Sequence, residues 1–389
     1  MKTTHDISES IRYIGVDDLE LDLFEGQYPM EDGISYNSYL ILDEQVAIMD
    51  TADLRKGEEW LQNLEQALEG RMPDYLLTHH MEPDHASLIA TVMERYPSLT
   101  LVQSAQAQKM MGAFFEHLDL TGRVRVVKEG DTLCLGSHTL QFVAAPMVHW
   151  PEVLLSYEQT EQVLFSADAF GRFGALSRDT GEWAEGARRY YFGICGKYGP
   201  QVQKLLQKAA ALDVKTIAPL HGPVLTGDLT PYLSLYNTWS RYEVEAPGVL
   251  VAYASIYGGT AVAAERLAEL LRQRGAKVVM RDLCRTDVSY VLEDAFRYGA
   301  VCVCGTTYDG GLFPAMHTFL HHLQIKNYQN RRFGIVENGS WAPMAGKIMR
   351  CMIEELSHCE IVEPMVSLRS RLHEADAPAL EALADALLA

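Results

Sequence analysis

The chain has 389 residues, of which 48% are hydrophobic and 22% are charged. This length exceeds the size at which one hydrophobic core usually keeps growing, so it predicts two domains. Its formal net charge of −19, from 52 acidic against 33 basic residues, argues against a surface that binds nucleic acid or anionic lipid. No apolar run is long enough to cross a membrane and the first ten residues lack the apolar stretch of a signal peptide, so we expect a soluble, cytoplasmic protein with no membrane partner.

The first part of the chain is rich in short apolar runs that predict strands. In chain order they are YNSYLILD (36–43), QVAIMD (45–50), DYLLT (74–78), LTLVQ (99–103), RVRVV (123–127), TLQFVAA (139–145), EVLLSYE (152–158), QVLFSAD (162–168) and TIAPL (216–220). Helical patterns lie at 56–69, 86–96, 105–117 and 229–242. Two sheets enclosed by helices accommodate this order of elements.

A break in regular structure is predicted at EVEAPG (243–248), because Pro247 and Gly248 interrupt both helices and strands. We therefore predict one domain at 1–246 and a second at 247–389. In the second, the runs VLVAYA, KVVMRDL, AVCVCG, RRFGIVE and EIVEPMV alternate with helical patterns, the first at 260–274. That alternation predicts a parallel α/β sheet with its ligand beyond the carboxyl ends of the strands.

Seven potential metal ligands follow predicted strands of the first domain. They are His80, Glu82, Asp84, His85, His149, Asp168 and His221. Taken singly, His149 and His221 are more often hydrogen bonded than metal bound, and Asp168 could cap a helix. Together they supply four imidazoles and three carboxylates from four strand ends, which indicates a metal site.

The type and number of these ligands predict the metal. Imidazole and carboxylate without thiolate suit iron, manganese or zinc, and the carboxylate of Glu82 favours iron over zinc. Seven ligands are too many for one ion. Two ions that share a carboxylate bridge would use all seven and leave positions open for a small substrate.

Three loops of the second domain predict an FMN site. SIYGGT (255–260) follows a strand and begins a helix, which suits one phosphate, and no G-x-x-x-x-G-K-[ST] motif for a nucleoside triphosphate is present. GTTYDGG (305–311) and ENGSW (337–341) add glycines and an aromatic residue each, so Tyr308 and Trp341 could flank the flavin ring. The candidate contacts are Ser255, Ile256, Tyr257, Gly258, Gly259, Thr260, Thr306, Thr307, Tyr308, Asp309, Gly310, Asn338, Gly339, Ser340 and Trp341.

The pattern H-x-E-x-D-H, followed by His149, Asp168 and His221, resembles the iron site of the flavodiiron proteins, also called A-type flavoproteins. Ordinary hydrolases of the metallo-β-lactamase superfamily carry a His in place of Glu82. The resemblance continues through APMVHWPE, FSADAFGRFG, RRYYFGICGKYG, IAPLHGP and the second domain. It implies a metallo-β-lactamase-like αββα sandwich followed by a flavodoxin-like doubly wound parallel sheet.

The resemblance also implies a role for each ligand and an activity. One iron is assigned to His80, Glu82 and His149, the other to Asp84, His85 and His221, with Asp168 as the bridge. The expected reaction at this diiron centre is reduction of O₂ to water, of NO to N₂O, or both. Tyr191 or its neighbour Tyr190 is a candidate proton or hydrogen-bond donor.

Electrons are expected to reach the FMN from an external donor, since the chain carries no C-x-x-C pair of a rubredoxin and no NAD-binding motif. A rubredoxin-like protein or reduced coenzyme F420 is the implied donor, and the implied assembly is a head-to-tail homodimer or a dimer of dimers. Two other functions remain open: a zinc hydrolase fused to a flavodoxin domain, and a non-catalytic flavin electron carrier or gas sensor.

Overall fold

The computed structural model describes residues 5–389, which form two compact units. One unit comprises the chain up to Tyr191 together with Pro200–Asn237, and the other comprises Phe192–Gly199 and Thr238–Ala389. The domain boundary predicted after residue 246 falls at the start of a strand and stays a prediction. Among the described residues, no helix is long and apolar enough to cross a membrane.

Two six-stranded sheets form the framework of the first unit. Its strands are β1 (Ile11–Tyr13), β2 (Val16–Asp18), β3 (Leu23–Phe24), β4 (Tyr28–Pro29), β5 (Ile34–Tyr36), β6 (Tyr39–Ile41), β7 (Ala47–Met49), β8 (Tyr75–Leu77), β9 (Thr100–Ser104), β10 (Val124–Val127), β11 (Thr132–Cys134), β12 (Thr139–Ala144), β13 (Leu154–Glu158), β14 (Val163–Phe165), β15 (Thr216–Ala218) and β16 (Leu225–Thr226). The sheet orders are β1-β6-β7-β8-β9-β10 and β11-β12-β13-β14-β15-β16, and β2 pairs with β5 and β3 with β4.

Between residues 5 and 241 the structure has seven α-helices. They are α1 (Gly57–Leu68), α2 (Pro83–Ala86), α3 (Ile89–Arg95), α4 (Ala105–Phe114), α5 (Trp183–Ile194), α6 (Gly199–Ala209) and α7 (Thr230–Ser240). Short 3₁₀ turns lie at Leu54–Lys56 and Gly196–Tyr198. The four helical patterns predicted from sequence correspond to α1, α3, α4 and α7.

The two sheets bury a common core because apolar residues alternate along their strands. In β12, Leu140 and Phe142 are fully buried, whereas Gln141 between them is not. Both side chains belong to one cluster with Ile41 and Met49 of the other sheet. Since successive side chains of a strand point to opposite faces, this cluster is the interface of two sheets packed face to face.

The second unit is a parallel sheet with helices between its strands. Its strands are β17 (Ala246–Tyr253), β18 (Val278–Asp282), β19 (Tyr298–Tyr308), β20 (Gly311–Leu312), β21 (Arg332–Asn338), β22 (Glu360–Ile361) and β23 (Val366–Leu368). Its helices are α8 (Gly259–Gln273), α9 (Val288–Arg297), α10 (Pro314–Ile325), α11 (Ala345–Glu354) and α12 (Ala377–Leu388), with a 3₁₀ turn at Glu374–Asp376.

The order of the parallel strands is β18-β17-β19-β21-β22, with β23 also on β21, and this is the flavodoxin-like order. The predicted fold class, an αββα sandwich followed by a flavodoxin-like sheet, is confirmed. One strand prediction was too long. The run EIVEPMV forms two short strands, β22 and β23, separated at Pro364, which has no N–H to donate to a ladder.

Candidate metal centre and flavin loops

The structure brings all seven predicted ligands together in two adjoining groups. Within each group the potential ligand atoms lie within 4.8 Å of one another. The first group contains His80, Glu82, His149 and Asp168, and the second contains Asp84, His85 and His221. The segments that carry them follow β8, β12, β14 and β15, so the strand ends gather side chains that are far apart in sequence.

The first group converges on one point. Nε2 of His80 lies 3.1 Å from Oε2 of Glu82 and 3.3 Å from Nε2 of His149. Nε2 of His149 also lies 3.1 Å from the same oxygen of Glu82. Three lone-pair donors aimed at each other at these distances have the geometry of side chains that surround a cation.

The second group has the same geometry. Nε2 of His85 lies 3.2 Å from Oδ2 of Asp84 and 3.1 Å from Nε2 of His221. The distance from Nε2 of His221 to Oδ2 of Asp84 is 3.3 Å. Both imidazoles are fully buried, so this polar cluster is well shielded from solvent.

Asp168 contacts both groups through different oxygens. Its Oδ2 lies 3.1 Å from His149 and 3.3 Å from His80. Its Oδ1 lies 3.4 Å from His85 and 3.7 Å from His221. A carboxylate with one oxygen toward each cluster has the arrangement that a bridge between two ions requires.

The protonation of this cluster reflects its crowded carboxylates. Burial disfavours the charged form of His149, but hydrogen bonds to Asp168 and Glu82 raise its pKa to about 9. Burial likewise opposes the charge on His80, yet Asp168, Glu152 and Glu82 raise its pKa well above the ordinary value. Burial works against the Asp168 carboxylate too, but its neighbouring imidazoles hold its pKa well below the usual range. These carboxylates thus favour positively charged imidazoles, and a metal cation would neutralise the same negative charge.

The histidines of the cluster have different partners at Nδ1. His80 faces Oε1 of Glu152 at 2.7 Å, and His221 faces the backbone carbonyl of Ser35 at 2.7 Å. Nδ1 of His85 is buried and makes no hydrogen bond among the described residues. Glu152 is not among the residues that the sequence motifs predict for this site. Its position in HWPE, three residues after a candidate ligand, was the available signal, but spacing alone does not say which histidine it contacts.

His79 holds in place the loop after β8 that carries His80, Glu82, Asp84 and His85, called here the ligand loop. Its backbone N–H donates to Oδ1 of Asp50 at 2.7 Å and its Nδ1 contacts the other oxygen of that carboxylate. Its Nε2 lies 2.7 Å from Oγ of Ser156. These are the residue types of a serine hydrolase triad, but each is at most 2% exposed, so no substrate can reach the hydroxyl. The three side chains tie the loop to β13.

The two tyrosines considered as donors have different surroundings. The ring of Tyr190 lies 5.5 Å from that of His221 between centroids, whereas the ring of Tyr191 lies 5.1 Å from that of Tyr236. Both tyrosines are fully buried. Tyr190 is therefore in ring contact with a candidate ligand. A catalytic role for Tyr191 stays a prediction.

In the second unit, the loop between β17 and α8 begins the helix with glycines. Gly258 precedes the helix with φ 88, and its N–H donates to Oγ of Ser255 at 3.1 Å. A Cβ on Gly259 would lie 2.2 Å from the backbone oxygen of Ser370. This close approach explains why a glycine is present at position 259.

Asn338 connects the three predicted flavin loops. Its Nδ2 donates to Oγ1 of Thr260 at 3.1 Å, and its backbone carbonyl accepts from Oγ1 of Thr306 at 3.2 Å. Its Oδ1 is buried and has no hydrogen-bond partner among the described residues. Around this buried centre, the rings of Tyr257, Tyr308 and Trp341 are exposed, and their exposed fractions are 98%, 47% and 89%. Other predicted contacts in these loops are Ile256, Thr307, Asp309, Gly310, Gly339 and Ser340.

An αββα sandwich with a paired histidine and carboxylate centre, followed by a flavodoxin-like sheet, defines the flavodiiron class of protein. A family model described as ODP family beta lactamase matches residues 34–222. The structure is similar to the rubredoxin oxygen:oxidoreductase of Desulfovibrio gigas, with TM-score 0.92, 26% identity, and coverage of 98% of this chain and 97% of that one. It is also similar to the flavodiiron protein of Giardia intestinalis, with TM-score 0.92, 23% identity, and coverage of 99% and 96%.

Sequence relatives agree with this class. A nitric oxide reductase of Moorella thermoacetica is 29% identical over 370 residues, which cover 92% of this chain and 91% of that protein. A putative diflavin flavoprotein A 2 of Synechocystis is 30% identical over 373 residues, which cover 93% of this chain and 63% of that longer protein. The chain belongs to the flavodiiron protein family, as its sequence motifs predicted.

Proposed function

We propose that this protein is an FMN- and diiron-dependent oxidoreductase that reduces O₂ to water, NO to N₂O, or both. The observation that carries the proposal is the pair of contacts made by Asp168, whose two oxygens each face a separate group of His and carboxylate side chains. Such a paired centre is suited to a small substrate that binds between two ions. The similarity to a nitric oxide reductase and to a rubredoxin oxygen:oxidoreductase supports the same activity.

The donor set fits two irons. His80, Glu82 and His149 would hold one ion, and Asp84, His85 and His221 would hold the other, with Asp168 between them. All are nitrogen or oxygen donors, which suit iron, manganese or zinc better than metals that prefer thiolate. Glu82 supplies a hard carboxylate where a hydrolase of this fold has an imidazole, so iron is the favoured metal.

The three loops of the second unit fit FMN. The amino terminus of α8 offers backbone N–H groups and the positive end of a helix to a phosphate. Asn338 has a buried Oδ1 that still lacks a donor, and flavins carry such donors. The exposed rings of Tyr257 and Trp341 offer apolar faces for an aromatic ligand.

Reduced flavin and two ferrous ions together store four electrons, the number that converts O₂ and four protons into two waters. Joining two NO molecules into N₂O and water takes two electrons and two protons. The residues of this chain hold and shield the site. Asp50, His79 and Ser156 fix the ligand loop, and Tyr190 lies beside His221 where it could donate a hydrogen bond to bound substrate.

The external donor is proposed to be a rubredoxin-like protein, with reduced coenzyme F420 as the second candidate. The Desulfovibrio protein is named a rubredoxin oxygen:oxidoreductase, and the similar proteins of Salmonella and Vibrio are named flavorubredoxins, which supports a rubredoxin-like donor. We further propose a head-to-tail homodimer, or a dimer of dimers, in which the flavin of one chain serves the irons of the other. A cytoplasmic location is also proposed.

Rapid mixing of the reduced protein tests this function. Protein loaded with iron and FMN is reduced without oxygen and mixed with O₂ or NO in a stopped-flow instrument. We expect flavin oxidation on mixing, with water and no free peroxide from O₂, or N₂O from NO. A flavin that stays reduced with both gases would contradict the proposal, and hydrolysis of a lactam or ester by zinc-loaded protein would favour the hydrolase instead.

A further inference from the structure

Glu152 is a buried carboxylate that serves a single side chain. Its Oε1 faces Nδ1 of His80 at 2.7 Å and also accepts the backbone N–H of Met81 at 2.9 Å. Its Oε2 is buried and accepts no hydrogen bond from the part of the chain that the structure describes. Oγ of Ser104 donates to the backbone carbonyl of Glu152 at 2.9 Å, which fixes the residue in place. The negative charge is therefore directed at one imidazole.

Among the described residues, the two histidines of the second group lack such a partner. Nδ1 of His221 faces the neutral carbonyl of Ser35, and Nδ1 of His85 faces no acceptor among the described residues. A neutral imidazole that binds a metal through Nε2 keeps its proton on Nδ1. A carboxylate that accepts this proton makes the imidazole more electron-rich and fixes the orientation of its ring, whereas a carbonyl does so less strongly.

We infer that Glu152 is a positioning residue that makes the metal position at His80 the stronger of the two. The inference rests on the two-metal site of the proposed function. It adds that the two positions differ in how tightly they bind a metal ion. The first ion has a histidine supported by a carboxylate, and the second does not. The two ions should therefore bind in sequence, and the iron held by His80 should be the harder one to reduce.

Cobalt titration of the metal-free, full-length protein tests the order of binding. Co²⁺ absorbs visible light when bound by nitrogen and oxygen ligands, so successive ions can be followed by their spectra. We expect two resolved steps in the wild type. In Glu152→Gln, which keeps the shape and the acceptor oxygen but removes the charge, the tighter step should weaken by about 10- to 100-fold while the other is unchanged.

A second variant shows which of the two metal positions is weakened. His221→Ala removes a ligand of the other group, so only the position at His80 should remain strong. Adding Glu152→Gln there should weaken the remaining ion. With iron loaded, the same substitution should shift the potential of one iron to a more positive value, a change that a purely space-filling role would not produce.

Two controls keep the test decisive. Glu158 is another fully buried glutamate, and it accepts hydrogen bonds from the backbone N–H groups of Thr160 and Glu161 instead of contacting a candidate metal ligand. Glu158→Gln should therefore leave both cobalt-binding steps intact. Glu152→Asp retains the charge and should bind the first ion more tightly than Glu152→Gln does. Wild-type behaviour of Glu152→Gln, equal loss of both ions, or equal weakness of the Asp and Gln variants would overturn the inference.

The outcome is separate from that of the proposed function. A wild type that binds two cobalt ions but, with iron and FMN, does not react with O₂ or NO would refute the activity and leave the role of Glu152 intact. A wild type that binds one cobalt ion would refute the two-metal site and this inference with it.

Discussion

Oδ2 of Asp168 lies 3.1 Å from Nε2 of His149, while the other oxygen of the same carboxylate faces His85 at 3.4 Å. This side chain is 1% exposed, so its charge is compensated within the protein and not by solvent. Because it contacts both groups, Asp168 is the proposed bridge between the two ions.

We predict about two iron atoms per chain when the protein is produced with adequate iron, as this set of nitrogen and oxygen donors implies. Asp168→Ala should lose both irons or leave two ions that no longer interact magnetically. Elemental analysis and Mössbauer spectroscopy measure the two effects, and Asp119→Ala, on the surface, is the control. Active protein with one zinc and no iron would refute the diiron assignment.

The hydroxyls of Ser255 and Thr260 are predicted to contact the flavin phosphate. The double variant Ser255→Ala with Thr260→Ala should weaken FMN binding, because hydrogen bonds to a charged group are among the stronger ones. Iron content should stay nearly unchanged. Flavin occupancy after dilution and dialysis is the measurement. Full retention of flavin in the double variant would place the phosphate elsewhere.

Gly259 gives a second test of the same loop. In Gly259→Ala the new Cβ would lie 2.2 Å from the oxygen of Ser370, so the backbone of one loop must move and flavin binding should weaken. The matched control is Gly299→Ala in the same unit, where a Cβ would meet Val244 at an ordinary 3.5 Å. Flavin affinity is measured by fluorescence titration. Equal affinity in both variants would argue that the loop at Gly259 does not touch the flavin.

Subunit mixing tests whether electrons pass between chains. An iron-deficient chain, His85→Ala with Asp84→Ala, is mixed with the flavin-deficient double variant and the subunits are allowed to exchange. In a two-fold dimer each mixed pair then contains one intact flavin opposite one intact centre, so part of the activity should return although both parents are inactive. If mass analysis confirms exchange and activity stays absent, each flavin serves its own chain.

A pH-dependent contribution to stability is predicted at His138, away from the metal centre. Its Nδ1 lies 2.8 Å from Oδ2 of Asp43 and its Nε2 lies 3.3 Å from Glu161. Burial opposes the charge on His138, but these hydrogen bonds raise its pKa. Burial also works against the Asp43 carboxylate, while hydrogen bonds from His138 hold its pKa well below the usual range.

The signs of the two shifts set the pH window. A raised pKa for His138 means that its contribution is complete below about pH 6.5, the value for an unfolded chain, and is lost as the pH rises through the folded pKa. Because the pKa of Asp43 is lowered, its carboxylate contributes to stability above about pH 4, and this contribution is lost in stronger acid. The difference in urea midpoint between wild type and His138→Gln should therefore be largest near pH 5 to 6 and shrink toward pH 9. A constant difference would show that the charge on His138 is unimportant.

The sequence by itself determined the two-part architecture and identified the seven candidate ligands that the structure brings together. The alternation of apolar residues in TLQFVAA predicts which face of β12 is buried, because successive side chains of a strand point to opposite faces. The alternation of strands and helices in the second part of the chain predicts a parallel sheet. His80, Glu82, Asp84 and His85 were found because they are concentrated on one strand-end loop, and His149 because it follows another strand.

Only the tertiary structure decided which side chains support those ligands. Glu152 contacts His80 across 72 residues of sequence, and Ser156 contacts His79 across 77, so no local pattern could pair them. The same holds for Gly259, where a side chain would clash with the backbone of Ser370 on a loop that is distant in sequence. Strand periodicity specifies the face on which a residue lies. The packing of the strands specifies its neighbour, and it places Ser156 beside His79 and Glu152 beside His80.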